Sequence, residues 1–195
     1  MSHPANASRI IEAYALKLAT ALQAQVWDSV AQLADHLAAA WAEGGHVFIC
    51  GNGGSAANAI HWANDFLYAI NPQGKKGLPM TALPANSAVL TCLGNDVGYE
   101  RIFSTQLTTL ARKGDTLIVL SGSGNSPNII QALETARAMG LKTAALLGFS
   151  GGAARDKAEI VIHFPIDDMQ IAEDLQLVAG HMLMRALRER GVVHA

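Results

Sequence analysis

Short apolar runs of strand length alternate with amphipathic segments along nearly the whole chain, and this alternation limits the possible folds more than any other feature of the sequence. The runs are His46–Cys50, Leu78–Leu83, Asp115–Leu120, Lys142–Leu147 and Ile160–Phe164, most of them entered or left through Gly or Pro. Between them lie helical segments at Ser55–Ile70, Ser87–Leu93, Ile102–Leu110 and Pro127–Met139, and a long helix from Met169 to Arg190 follows the last run. Ahead of the first strand, Ile10, Tyr14, Leu18 and Leu22, then Trp27, Val30, Leu33, Leu37 and Trp41, recur at steps of three and four, which predicts two helices with one apolar face each. Strands that alternate with helices pair in parallel through right-handed crossovers, so the expected fold is α/β, a parallel sheet with helices on both faces. For the helix at 127–139, Ser126 suits the N-cap, Pro127 the first turn and Gly140 the C′ position.

With 195 residues, half of them apolar, the chain can bury one sizeable core, and no linker or repeat divides it, so a single domain over 1–195 is expected. The formal charge is −2 and no Lys/Arg run occurs, which argues against a nucleic-acid or anionic-membrane partner. Cys50 and Cys92 are too few for a disulfide framework and lack C-x-x-C spacing; they read as buried apolar residues in a reducing compartment. Met1–Asn6 is polar rather than a signal-peptide core, and no stretch approaches the ~18 apolar residues of a membrane span. A cytoplasmic protein is expected.

Two segments are alike: Cys50-Gly51-Asn52-Gly53-Gly54-Ser55 and Leu120-Ser121-Gly122-Ser123-Gly124-Asn125-Ser126. Each follows a strand and opens a helix, where glycines admit a ligand to the backbone, first-turn amides point at it and the helix dipole favours an anion. Serine hydroxyls add uncharged donors, and Asp and Glu are absent from both loops. Gly, Asn and Ser also form ordinary turns. Two such loops at the carboxyl ends of strands in one sheet favour a phosphate cradle. Competing phosphate motifs fit less well. Gly51-x-Gly53-x-x-Ala56 meets the permissive dinucleotide pattern without the acidic residue expected ~20 positions later, and no G-x-x-x-x-G-K-[ST] loop occurs.

His61 and Asp65 stand four apart on the helix leaving the first loop, so they share a face and can reach one ligand or metal; an ordinary hydrogen-bonded pair has the same spacing. Glu173 and His181 are eight apart, ~12 Å along a straight helix. They cannot easily meet at one ion, so in a given site the two are expected to come from different subunits, or only one touches substrate. Polar positions on the solvent side of a terminal helix are the alternative for both.

The chain resembles the SIS-domain phosphoheptose isomerases over almost its whole length, through Cys50-Gly-Asn-Gly-Gly-Ser55 followed by His61, Gly94-Asn95-Asp96 with Gly98-Tyr99, Ser121-x-Ser123-Gly-Asn-Ser126, and the final helix with Glu173 and His181. The resemblance implies a three-layer, doubly wound, Rossmann-like five-stranded parallel sheet, with the N-terminal helical segment 1–44 used in oligomer packing. It further implies a homotetramer with active sites where subunits meet, interconverting sedoheptulose 7-phosphate and an aldoheptose 7-phosphate. Ser55, Ser121, Ser123 and Ser126, with Gly53 beside them, would hold the phosphate. Asp65 and His181 would act as acid and base, Asn52, Asp96 and Glu173 would contact the sugar, and His61, Asp65, Glu173 and His181 would be the zinc ligands of those members that bind metal. The chemistry needs such a pair, because a ketose–aldose exchange moves a proton between adjacent carbons through an enediolate. Four positions depart from the family pattern: Asp65 for Glu, Glu173 for Gln, Gly122 for Thr and Gln176 for His. Some SIS proteins are instead non-catalytic modules that bind phosphosugars or associate with the replication initiator, and that reading is the alternative. His46, His163 and His194 have no patterned partners, and Trp27, Trp41 and Trp62 read as core or subunit contacts.

Overall fold

A computed structural model of the chain describes residues 6–24, 27–71 and 76–190; His194 and most of Met1–Asn6 lie outside them. Two helices, α1 (Ala7–Gln23) and α2 (Asp28–Ala42), lead into strand β1 (Val47–Gly51). Then follow α3 (Gly54–Asn64), β2 (Met80–Ala82), α4 (Ser87–Asp96), α5 (Ser104–Leu110), β3 (Thr116–Ser121), α6 (Pro127–Ala138), β4 (Lys142–Leu147), β5 (Ile160–His163) and α7 (Met169–Arg190). The five strands form one parallel sheet in the order β2-β1-β3-β4-β5. Succession therefore reverses between β1 and β3, which makes the carboxyl ends of those two strands the switch point where open α/β sheets bind ligands.

Residues alternate between the two faces as a sheet covered on both sides requires. Val47 and Ile49 of β1, Ile118 and Leu120 of β3, and Ala144 and Leu146 of β4 join one core with α2, α3 and α7. Phe48, Cys50, Leu117, Val119, Ala145 and Leu147 join a second core with α5 and α6. Helix α1 is different, since Ala21 is its one buried residue and Ile10, Ile11 and Leu16 are exposed. It is tied to α7 and to the residue just before it by polar bonds, Tyr14 Oη donating to Asp174 Oδ2 (2.5 Å) and Lys17 Nζ to Asp168 Oδ2 (2.6 Å).

Several expected elements differ in extent. The helix expected to run unbroken from Ser55 to Ile70 passes at Asp65 into a π-helical turn, Asp65–Ala69, closed by Ile70 N bonding Asp65 O. The carbonyl of Phe66 is taken by Leu78 N (2.9 Å), which draws the chain toward β2 while Phe66 and Ile70 stay buried. Strand β2 is correspondingly short, because Leu83–Ala85 turns into a 3-10 helix at Pro84. Helix α4 runs past Gly94 to Asp96 and buries no residue. Cys92 lies on it and is exposed, against the expectation of a buried thiol; Cys50 is buried as expected. Of the tryptophans, Trp41 and Trp62 are core residues and Trp27 tilts against Phe164 with ring centroids 6.2 Å apart.

Candidate active site

The two Gly/Ser loops leave adjacent strands, β1 and β3, and open α3 and α6. Together they wall a cleft of about 250 Å³ lined by Asn52, Gly53, Gly54, Ser55, Ser121, Gly122, Ser123, Ser126, Met169 and Glu173. Gly53 at φ +57° and Gly124 at φ +67° hold left-handed backbone that a side chain would strain, and these two positions turn the chain from strand into helix. Among the described residues no Lys or Arg lines the cleft, so an anion there would be met by hydroxyls and first-turn amides.

The serines are arranged as donors. Ser121 Oγ accepts from Gly124 N (3.0 Å) and Ser123 Oγ from Asn125 N (3.3 Å), which leaves each hydroxyl proton free to point elsewhere. Ser126 occupies the N-cap position of α6 as expected, yet its side chain makes no capping bond, so its hydroxyl is also unspent. Ser55 is buried at the first turn of α3. The loops are locked together by a reciprocal amide pair: Asn52 Nδ2 donates to Asn128 Oδ1 (2.9 Å) and Asn128 Nδ2 to Asn52 Oδ1 (2.8 Å). Tyr99 Oη donates to the same Asn52 oxygen (3.1 Å). Asn128 is buried in the first turn of α6, seven residues beyond the end of β3, and went unrecognised in the sequence.

Helices α3 and α7 run side by side away from the cleft. Asn58 Nδ2 donates to Glu173 O (2.9 Å) and to Gln176 Oε1 (3.3 Å), and one turn further Gly180 lies against the Trp62 ring, where an added Cβ would come within 2.1 Å of Nε1. That close approach brings His181 to His61, with their Nε2 atoms 2.9 Å apart. Asp65 Oδ2 is 3.2 Å from His61 Nε2 and 3.6 Å from His181 Nε2. The three therefore meet in one chain, and they form a possible metal-holding group among the described residues.

Glu173, counted above with the metal ligands, is not part of that group. It lies two helical turns earlier on α7, and its carboxylate packs against Gly54 in the serine cleft, where a Cβ at Gly54 would be 2.3 Å from Oε2. Asp96, unlike Glu173, does not line the cleft. It ends α4 in solvent, accepting from Asn95 Nδ2 (2.8 Å) and Cys92 Sγ (3.4 Å), bonds that hold its carboxyl below the usual range and raise the Cys92 thiol. Gly122, the Thr position of the family pattern, faces Met169 Sδ so closely that a Cβ would sit 2.3 Å from it. Gln176 is fully buried, its oxygen used by Asn58 and its Nε2 without a partner among the described residues.

The same architecture recurs in known proteins. The model of the SIS domain family matches residues 12–148. A phosphoheptose isomerase of Burkholderia pseudomallei is 38% identical over 176 residues, covering 89% of this chain and 88% of that protein. The chain belongs to the phosphoheptose isomerase family of SIS-domain proteins. Another member, from Trichlorobacter lovleyi, is 39% identical over 168 residues, 86% of this chain and 85% of that protein. The solved phosphoheptose isomerase of Francisella tularensis superposes with a TM-score of 0.89 at 28% identity, covering 94% of this chain and 99% of that one. The five-stranded doubly wound sheet expected from the sequence is thus the fold of the family.

Proposed function

We propose that this phosphoheptose isomerase family member is an aldose–ketose isomerase that converts sedoheptulose 7-phosphate to glycero-manno-heptose 7-phosphate through an enediolate. The observation that carries the reading is the convergence of Ser55, Ser121, Ser123 and Ser126 on one cleft at the switch point, beside the opening turns of α3 and α6. There the hydroxyls and amides bind the phosphate and fix one end of the sugar. Asn52 has one amide proton left for a sugar hydroxyl, and Glu173 can accept another hydroxyl from the cleft wall. The base of the pair Asp65 and His181 takes the proton from one of the two carbons, and its partner acid protonates the carbonyl oxygen; return of the carbon proton to the other carbon, as the hydroxyl on the first carbon gives its proton back to the acid and becomes the new carbonyl, completes the exchange.

Asp65 lies ten residues beyond Ser55, ~15 Å along the helical axis. A neighbouring chain that brings its own Asp65 and His181 to the open side of the cleft would complete the site, so the enzyme is read as a homo-oligomer, in fourfold form a tetramer. Surfaces that would be covered support this: Ile10, Ile11 and Leu16 on α1, Ile60, Leu67 and Tyr68 along α3 and the π turn, and α4 with no buried residue. Exposed Asp96 reaches substrate in the same way, from across such a contact.

Zinc fits His61, Asp65 and His181. Their donor atoms stand 2.9, 3.2 and 3.6 Å apart, close to the ~3.3 Å edge of a tetrahedron with zinc bonds of about 2.0 Å. Bound there, the ion would supply a Lewis acid for the carbonyl oxygen. Both cysteines are free thiols, in keeping with a cytoplasmic setting, and no helix among the described residues is long and apolar enough to cross a membrane.

Replacement of His181 by Ala tests the assignment. Turnover of sedoheptulose 7-phosphate should fall ~10²–10⁴-fold, while the sugar phosphate still raises the melting temperature. Undiminished turnover in the variant removes His181 from the chemistry. A wild-type chain that is stabilised by the ligand and forms no product is a binding module instead.

A further inference from the structure

A second cavity, of about 590 Å³, opens at the amino-terminal ends of β1, β2 and β3, the opposite end of the sheet from the serine loops. Five residues of β1 separate the two ends, ~16 Å of extended chain. The walls are polar and basic: His46 just before β1, Thr81 in β2, and Arg112, Lys113 and Asp115 in the segment between α5 and β3.

The charges are not balanced. Asp115 is the one acid among the described residues of the wall, and its carboxylate is committed to the backbone, Oδ1 accepting from His46 N (3.2 Å) and Oδ2 from Arg112 N (2.8 Å). Those two bonds fix the backbone of the segment against the start of β1. The Arg112 guanidinium and the Lys113 ammonium have no carboxylate partner among the described residues, although Lys17, Lys142 and Lys157 each pair with one. Lys113 is held by its aliphatic stem, which packs on Gly140 at the end of α6. His46 stacks on Phe48, ring centroids 4.6 Å apart, and bonds Thr81 Oγ1 through Nε2 (2.8 Å), and its Nδ1 has no hydrogen-bond partner among the described residues.

The geometry points to a second anion site: the cavity takes a small phosphate ester with a polar body, its phosphate on Arg112 and Lys113 and its hydroxyls on Thr81 and His46. Two cations without a carboxylate partner beside neutral hydrogen-bonding groups are the complement of such a molecule. The volume lies within the range that holds a metabolite. The site is independent of the serine cleft, so each can fail alone.

Calorimetric titration with ribose 5-phosphate, and separately with inorganic phosphate, of the full chain and of the variants R112A/K113A and S121A/S123A tests this. Arg112 and Lys113 are exposed and outside helices and strands, so an unchanged melting curve verifies the fold of that variant. R112A/K113A should weaken one binding component of ribose 5-phosphate at least tenfold, and S121A/S123A should leave that component intact. Inorganic phosphate should bind it more weakly than the ester. The proposal is overturned if no component responds to R112A/K113A, if the responding component is the one lost in S121A/S123A, or if inorganic phosphate binds as tightly as the ester.

Discussion

Removing the amide pair that joins the two Gly/Ser loops should uncouple them. Asn52 and Asn128 exchange two hydrogen bonds of 2.9 and 2.8 Å, and Asn128 is 1% exposed. A net hydrogen bond contributes ~0.5–1.5 kcal/mol, and a buried amide left without its partner costs ~1–3 kcal/mol. Asn128→Ala removes both bonds, at ~1–1.5 kcal/mol each, and leaves half-buried Asn52 with only the Tyr99 hydroxyl, so a loss of about 2–3 kcal/mol is expected. At ~2–4 °C per kcal/mol for a chain of this size, the melting temperature should fall by roughly 4–12 °C. Asn52→Ala should cost a similar amount, and the double variant little more than either alone, a coupling of ~1–2 kcal/mol in a denaturant-melt cycle. Because the pair sets the spacing of the serine loops, KM for the sugar phosphate should rise in Asn128→Ala although Asn128 does not line the cleft. Additivity of the two single losses within ~0.5 kcal/mol, with KM unchanged, would refute the argument.

Metal analysis of purified protein should find zinc retained by wild type and lost from Asp65→Ala, and chelation should lower wild-type turnover; absence of stoichiometric metal together with chelator-insensitive turnover rules the ion out. Stability should fall on the acid side of neutrality. Burial lowers the pKa of His36, aided by Lys142 and opposed by Glu159 and Glu43, and burial likewise lowers that of His46, opposed by Asp115. The unfolded chain, with histidine pKa ~6.5, then binds more protons than the folded one. The contribution is present above that pH and lost as pH drops below it. Thermal melts between pH 7 and pH 5 should show a shallower decline in His36→Gln, which keeps a partner for Thr116 without titrating, and an unchanged slope would contradict the assignment.

Strand positions were legible because a buried parallel strand needs a continuous apolar run, and Val47–Cys50, Leu117–Leu120 and Ala144–Leu147 supply one each. Boundaries set by tertiary bonds were not. The π turn at Asp65 depends on Leu78 reaching the Phe66 carbonyl, and the shortness of β2 depends on the turn at Pro84, neither of which a local pattern reports. The exposure of Cys92 follows from α4 burying nothing, although its composition is that of a half-buried helix. In the site, the two serine loops were readable because strand–glycine–helix junctions carry their chemistry in consecutive residues. His61 and Asp65 were readable as an i,i+4 pair. Their meeting with His181 required the close packing of α3 on α7 through Gly180 and Trp62, a long-range contact. Asn128 was hidden for the same reason, as its partner lies 76 residues away.

The structure of the chain with sedoheptulose 7-phosphate bound is the most direct test of the phosphate cradle. The phosphate should lie within ~3 Å of the Ser55, Ser121, Ser123 and Ser126 hydroxyls, with the carbonyl end of the sugar directed at Asp65 and His181 of an adjoining copy. A phosphate seated away from these serines, or a sugar whose first two carbons meet neither an imidazole nor a carboxylate, would contradict it.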